Sequence, residues 1–466
     1  MNRKQNLEVF AKTPVRKAVL LQIVPAVASQ MVTLVYNLAD TYFVGMLNAP
    51  HETAAVTVAY PSFLMLTAIS NLFGVGGASA IARALGRQDE EGARRIAAIS
   101  LAGGLLSALL FSAAFRLLAD PVLHLCGATE ATYAAAYGYA KWVVILGGPF
   151  TILNTLLANL VRAEGGAGAA AFGVSFGGVL NILLDPLFVL PQFLGLGAVG
   201  AGMATALSNG AAVACFAVYL VRRRGATYLN LLPANLRYAA QYLRPILAIG
   251  FPSALQYALT VVATAAQADF VSQYPTEAVA ALGIVKTGPA ALYFSIGVSN
   301  GLLPLLAYNH AAGNHHRRAQ AFRIGSLMSF GFAVLCLVCY EAFATPGLLF
   351  IADAATVRYG AVFLRCMVTA MPMMALCYPM IIQFQAMGRA RESLVCSILR
   401  KGVLDIPLLY LMDALFPCTA VCGCSPSWTP SRWPQPCGFT GPSKGGPRRA
   451  ERPQPGPETG VSKTEL

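Results

Sequence analysis

Residues 18–46 read AVLLQIVPAVASQMVTLVYNLADTYFVGM, an apolar run interrupted by one proline, Pro25, and one acid, Asp40. It exceeds the roughly 20 residues a helix needs to cross a bilayer. In hydrocarbon no water satisfies the backbone, so a spanning segment is a helix or part of a closed barrel. A barrel strand alternates polar and apolar residues over about ten positions. This run is continuous, which selects a helix. It is also too long, and too poor in a small-residue cleavage site, for a cleaved leader behind the polar residues 1–17.

Ten more runs of this kind follow, at 54–79, 96–118, 132–160, 167–190, 196–221, 245–272, 278–308, 321–345, 357–386 and 394–416. The whole chain is 56% hydrophobic and 11% charged, against about 25% charged in a soluble domain. A lipid-facing surface accounts for the missing charge. The expected fold class is therefore an all-α integral membrane protein with many spans.

The net charge of +13 invites a nucleic-acid reading, but its distribution argues for a membrane. Arg3, Lys4, Lys12, Arg16 and Lys17 fall on one side of the first run. Arg83, Arg87, Arg94 and Arg95 fall on the same side once the chain has crossed twice. Arg162, then Arg222, Arg223, Arg224, Arg237 and Arg244, then Arg317, Arg318 and Arg323, then Arg389, Arg391, Arg400 and Lys401 keep to that side. The other side receives little beyond Arg116 and Arg358. Basic residues in short loops stay cytoplasmic. The expectation is a multi-pass protein of a cell membrane with a cytoplasmic N-terminus, a bilayer for a partner and no nucleic acid.

An internal repeat divides the chain. Pro25, Phe43, Gly74 and Gly86 recur at one constant offset as Pro252, Phe270, Gly301 and Gly313. Pro149, Arg162-Ala163 and Gly165 recur at nearly the same offset as Pro372, Gln385-Ala386 and Gly388, and Pro186 as Pro407. Two six-helix units of equal orientation follow, related by an axis along the membrane normal, with a cavity between them. We assign 1–225 to an N-lobe, 226–244 to a cytoplasmic linker and 245–417 to a C-lobe. Residues 418–466 turn abruptly to Pro, Gly, Ser and Arg, a composition that does not fold alone. The C-lobe thereby lacks its twelfth helix as written. A one-base backward shift at Cys418 allows the stretch to Thr429 to encode an apolar helix start, so the tail reads as out of frame. Sequencing the gene across codon 417 tests this.

Ionisable groups inside spans cost about 2.5–3.5 kcal/mol each on insertion scales and are functional candidates by default. Asn37 and Asp40 are three apart, and Asn181 and Asp185 four apart, so each pair shares a helix face. Two carboxylates with amide neighbours suit a hard cation such as Na⁺, or share a proton. The alternative is that either acid caps a helix end near the interface. Pro25 removes a backbone hydrogen bond mid-span, as a hinge or as a static kink. Lys286 is the deepest of the span lysines, facing the cavity or snorkelling to the interface. Lys141 and Arg365 lie in or near spans, and Asp269 and Glu341 near span ends.

Other chemistries fit poorly. Gly74-Val75-Gly76-Gly77 has no Lys-Ser/Thr after it and reads instead as close helix packing. His315-His316 alone is weak metal evidence. Cys336 and Cys339 fall within an apolar run, where thiols behave as small hydrophobes. With no catalytic constellation the chain reads as a non-enzyme, and with no nucleotide site its energy source reads as an ion gradient.

Taken together, several patterns resemble the MATE (multidrug and toxic compound extrusion) transporters over nearly all of residues 10–417. They are Pro25 with Asn37-Leu-Ala-Asp40-Thr-Tyr-Phe43-Val-Gly45, Ala82-Arg83-Ala-Leu-Gly86, and Arg162-Ala-Glu-Gly165. Asn181-Ile-Leu-Leu-Asp185-Pro186-Leu-Phe precedes Gly200-Ala-Gly202-Met-Ala-Thr205. The second half adds Pro304, Tyr308-Asn309 and Gly313, then Phe384-Gln385-Ala386-Met387-Gly388-Arg389. The resemblance implies two six-helix lobes, a V-shaped cavity and alternating access. It implies export of mostly cationic, amphipathic compounds by a monomer, driven by H⁺ or Na⁺ with no other cofactor. The family's N-lobe cation site carries over onto Asp40, Asn181, Asp185 and Thr205, which would hold Na⁺ in a sodium-coupled member. Tyr139 is a further cavity residue, with Asn154 or Asn159 a weaker one, and bending at Pro25 would serve coupling. The NorM-like branch carries acids in the seventh and tenth helices. The corresponding stretches Pro252–Phe270 and Met371–Gln383 offer only Asp269, so the N-lobe-coupled branch is closer. A lipid-linked precursor flippase of the same superfamily is the alternative.

Overall fold

The structure is a computed structural model that describes residues 3–47, 49–230, 232–272, 290–349 and 354–400. Among these residues there are helices and no strands. The first half comprises α1 (Arg3–Ala11), α2 (Val15–Gly45), α3 (Pro50–Gly86), α4 (Glu90–Leu125), α5 (Glu130–Ala140), α6 (Gly148–Ala163), α7 (Ala167–Val189) and α8 (Gly197–Arg222). The short α9 (Pro233–Leu236) leads into α10 (Ala239–Ser272), α11 (Ala290–Ala311), α12 (His315–Leu349), α13 (Ala354–Ala386) and α14 (Ala390–Ile398).

Helix ends follow local chemistry. Pro14 precedes α2, and a proline opens α3, positions where the missing N–H costs nothing. Asp89 caps α4 by accepting from the Gly92 amide at 2.8 Å. Gly165, Gly313 and Gly388 take positive φ just past α6, α11 and α13, the usual glycine exit from a helix.

Nine helices are long and apolar enough to cross a membrane among the described residues, or ten if a bent pair is one span. They overlap the first ten expected runs, though residues 278–289 of the eighth lie outside the described residues, and the chain is a multi-pass membrane protein. The bent pair corrects one expectation. Run 132–160 is α5, a π-helical stretch at Lys141–Leu146, and α6, with a 48° bend before α6. The Gly147 amide reaches back to the Trp142 carbonyl at 2.8 Å. A Cβ on Gly147 would meet that oxygen at 2.5 Å, so only glycine fits the turn. Residues 1–17 and the linker also hold helix, in α1, α9 and the first turn of α10. The eleventh run is described only to residue 400; Lys286 and the tail 418–466 lie outside the described residues.

Besides a contact of α3 with α11, the two halves meet chiefly along two helix pairs, α2 with α11 and α3 with α10. The repeat exchanges these pairs. Both are glycine contacts. A Cβ on Gly250 of α10 would lie 1.7 Å from the Leu72 carbonyl oxygen, and one on Gly76 of α3 would lie 2.2 Å from that of Ile246. On α11, Gly297 faces Val27 and Gly301 faces Gln22 and Ile23, on either side of Pro25. One apolar cluster joins the halves here, with Ile23, Ile81, Leu85 and Leu160 against Ile246, Leu302, Leu306 and Ile382. A second cluster, with Val44, Ala55, Leu123 and Val189, draws on the first half. Leucines such as Leu106, Leu110 and Leu117 are exposed on faces that suit lipid.

Two charges counted above among loop residues are in fact buried. Arg162 donates to Asn159 Oδ1 at 3.1 Å. Arg400 lies inside the second half. Arg365 lies 3.6 Å from Glu341, an ion pair between α12 and α13.

Candidate functional site

Asp185 stands on α7 with no exposed surface. Its Oδ1 accepts from Asn181 Nδ2 at 3.1 Å, one turn earlier. Its Oδ2, Asn181 Oδ1 and Asp40 Oδ1 are buried acceptors without a hydrogen-bond partner. Buried polar atoms are normally satisfied, so three orphaned oxygens contributed by α2 and α7 have lone pairs free to accept a cation or a proton. Oxygen donors of this kind suit a hard cation. Among the described residues no group of three or more His, Cys, Asp and Glu side chains is placed to hold a metal ion.

Small residues bring the helices together. Gly178 of α7 faces Val32 and the Tyr36 ring of α2, where a Cβ would lie at 2.7 Å and 3.2 Å. Gly177 faces Ser208 and Ala212 of α8, and Gly200 faces Phe188. These contacts fix an antiparallel register between α7 and α8 that brings Thr205 level with Asn181. Thr205 is buried, and its carbonyl accepts from Asn209 Nδ2 at 2.9 Å.

Asp40 and Asp185 lie within electrostatic range of each other and of Tyr36 and Tyr139. Tyr139 is buried at the end of α5. Asn37 reaches away from this cluster, donating to the Tyr293 hydroxyl of α11 at 3.2 Å. It thus ties the helix that carries Asp40 to the other half. Asn154 donates to Asn209 Oδ1 at 2.8 Å and so joins a side-chain amide chain ending on Thr205 rather than the carboxylates. Pro25 sits inside α2, between the Gly297 and Gly301 contacts.

Sequence reading overlooked Tyr36, Tyr293 and Asn209. Tyr36 was within reach of pattern, being four residues before Asp40 on the same face. Tyr293 was not, because its partner lies 256 residues away.

The MatE family model matches residues 25–187 and 252–411, one stretch in each half. The chain is 30% identical over 424 residues to "Multidrug export protein MepA" of Staphylococcus aureus, covering 90% of this chain and 92% of that protein. It is 28% identical to the Staphylococcus saprophyticus protein of the same name over the same shares. Among solved structures, one described as the outward-facing conformation of a multidrug resistance MATE family transporter superposes with a TM-score of 0.83 at 23% identity, over 90% of this chain and 94% of that one. A Pyrococcus furiosus transporter of the MOP superfamily superposes with a TM-score of 0.82 at 24% identity, over 90% and 93%. With a family match in each half and a relative aligned along nearly its whole length, the chain belongs to the MatE family of membrane proteins.

Proposed function

We propose that this protein is a secondary active exporter of small, amphipathic, mostly cationic compounds, working by alternating access in exchange for H⁺ or Na⁺. The observation that carries the reading is the set of unpartnered oxygens on Asp40, Asp185 and Asn181 in the first half. The multidrug export named for the staphylococcal relatives supports it. The protein is then a transporter rather than an enzyme, working as a monomer in a bacterial cell membrane with its N-terminus inside. Residues 1–225 form the lobe that binds the coupling ion, 226–244 the linker, and 245–417 the partner lobe.

The chemistry runs through this chain's own groups. A cation or proton on Asp40 and Asp185 cancels charge that is expensive away from water. A cationic substrate competes for the same negative field, so the two occupants exclude one another. Where Na⁺ is the ion, Asp40, Asn181, Asp185 and Thr205 supply its oxygens. Pro25 leaves α2 one hydrogen bond short, a point at which the helix can bend. The Asn37–Tyr293 bond transmits movement of α2 to α11. The end joined by α1 and the glycine pairs is the cytoplasmic one, closed as in an outward-facing state. The precursor-flippase alternative draws no support from the relatives.

The test is dye efflux from cells expressing the gene, with Na⁺ and pH gradients varied separately. Asp40→Asn should abolish efflux while the protein still inserts in the membrane. Unchanged efflux in that variant removes Asp40 from the mechanism.

A further inference from the structure

At the end joined by α1, cations of both halves come to one place. Arg83, in the last turn of α3, reaches across the boundary. A Cβ built on Gly388, in the turn between α13 and α14, would lie 2.2 Å from its Nη1. Its Nε donates to the Ser79 carbonyl at 3.3 Å. Arg318, in the first turn of α12, meets both Met387 Sδ and His310 Nδ1 at 3.0 Å. His315 lies against His310, with 5.7 Å between ring centres. His310 is within electrostatic range of Arg83, Arg318 and Arg389 together, and Arg87 is within range of Arg83.

Little opposes this charge. Among the described residues Glu392 pairs with Arg389 at 3.8 Å, and no carboxylate lies within ion-pair distance of Arg83, Arg87 or Arg318. The repeat shows that the deficit belongs to this place. Glu91 of the first half recurs as Arg318, and Glu164 as Met387, so Arg318 meets a thioether where the repeat has an acid. Helix α4 opens on Asp89, Glu90 and Glu91, whereas the first turn of α12 has no acid. A helix N-terminus is itself positive, so Arg318 stands there against the dipole. Its neighbour Arg317 is taken up by the carbonyls of Phe10 and Thr13. Arg83 and Arg318 are half-buried, while Arg87, His315 and Arg389 are exposed, which leaves the cluster open to a ligand. Guanidinium groups from two halves suit an anion with several oxygens, and the guanidinium fork matches phosphate geometry. Basic pockets between spans at a membrane face receive phospholipid headgroups.

We propose that this cluster binds a phosphate group, from an anionic phospholipid headgroup or from free phosphate, and that the bound anion bridges Arg83 of the first half to Arg318 and Arg389 of the second. Binding needs neither the export reading nor ion coupling, so failure of either leaves it standing. Titration calorimetry of the purified full chain in detergent, at constant ionic strength, would compare dihexanoylphosphatidylglycerol, dihexanoylphosphatidylcholine and inorganic phosphate. The phosphatidylglycerol or inorganic phosphate should bind, and the phosphatidylcholine should not. Arg83→Gln and Arg389→Gln should each weaken that binding by about tenfold, the size of one charge-assisted contact. Arg389 is exposed, so its replacement leaves the packing intact. Arg94→Gln, exposed on α4, should change nothing. Binding of the phosphatidylglycerol alone identifies a lipid headgroup as the source, and equal binding of inorganic phosphate identifies the free anion; both support the site. Binding of neither, or equal binding of the phosphatidylcholine, overturns it. Dependence on the arginine of one half alone, or equal weakening by Arg94→Gln, overturns it as well.

Discussion

Asp40 and Asn37 share one turn of α2 yet face different tasks. Asp40 ends on an unpartnered oxygen near Asp185, whereas Asn37 ends on Tyr293 in the other half. Under the proposed function, that division separates holding an ion from reporting it. Tyr293→Phe keeps the ring and deletes the hydroxyl that Asn37 uses. A neutral hydrogen bond is worth about 1 kcal/mol net, so transport should fall roughly fivefold, with ion binding to the purified protein unchanged. Equal loss of ion binding would place Tyr293 in the site itself. Acids in apolar runs were legible from one sequence because charge stands out against hydrocarbon, and Asn181 was legible by its spacing from Asp185. Arg400 was misread for a related reason. Near the end of a run a basic residue looks like a loop charge, and only the packing of Tyr378 upon it reveals burial.

At the scale of elements, glycine decides which helices can touch. The spans themselves were readable from length and hydropathy, and the repeat announced the two halves. The pairing of α2 with α11 and of α3 with α10 was not, since a glycine in an apolar run looks alike whether it faces lipid or another backbone. Gly331 has nothing within 4 Å of a built Cβ, whereas Gly250 has the Leu72 carbonyl oxygen at 1.7 Å. Gly250→Val should therefore force α3 and α10 apart, at about 1–3 kcal/mol for an overpacked contact. The thermal midpoint of the purified protein should drop by several degrees, while Gly331→Ala leaves it in place. Equal midpoints would mean that the halves do not press together there. The bend at Gly147 escaped reading because a Gly-Gly-Pro within an apolar run is compatible with a straight span until Ala206 and Trp142 close on it.

For the molecule as a whole, the question is what keeps one end shut. Helix α1 opens the first half but is fastened to the second. The Phe10 carbonyl accepts from Arg317 Nε at 2.9 Å and from Asn309 Nδ2 at 3.3 Å, and Arg317 also donates to the carbonyls of Val9 and Thr13. The Phe10 ring is fully buried, 5.5 Å from Tyr308. The linker makes the reciprocal tie, with Tyr238 under the Arg95 guanidinium at 3.7 Å. Parting the halves at this end must therefore break the Arg317 contacts or carry α1 away with α11 and α12. Hydrogen bonds from a charged donor are worth about 1.5–3 kcal/mol, so losing this set should move the balance between states by roughly tenfold or more. The reporter is a cysteine at Ala307, which is fully buried in the joined cluster, in a background without the native thiols. Arg317→Ala should raise its labelling rate by a maleimide by that factor. If the rate is unchanged, α1 travels with the second half as a passenger, and the glycine pairs alone hold the end closed.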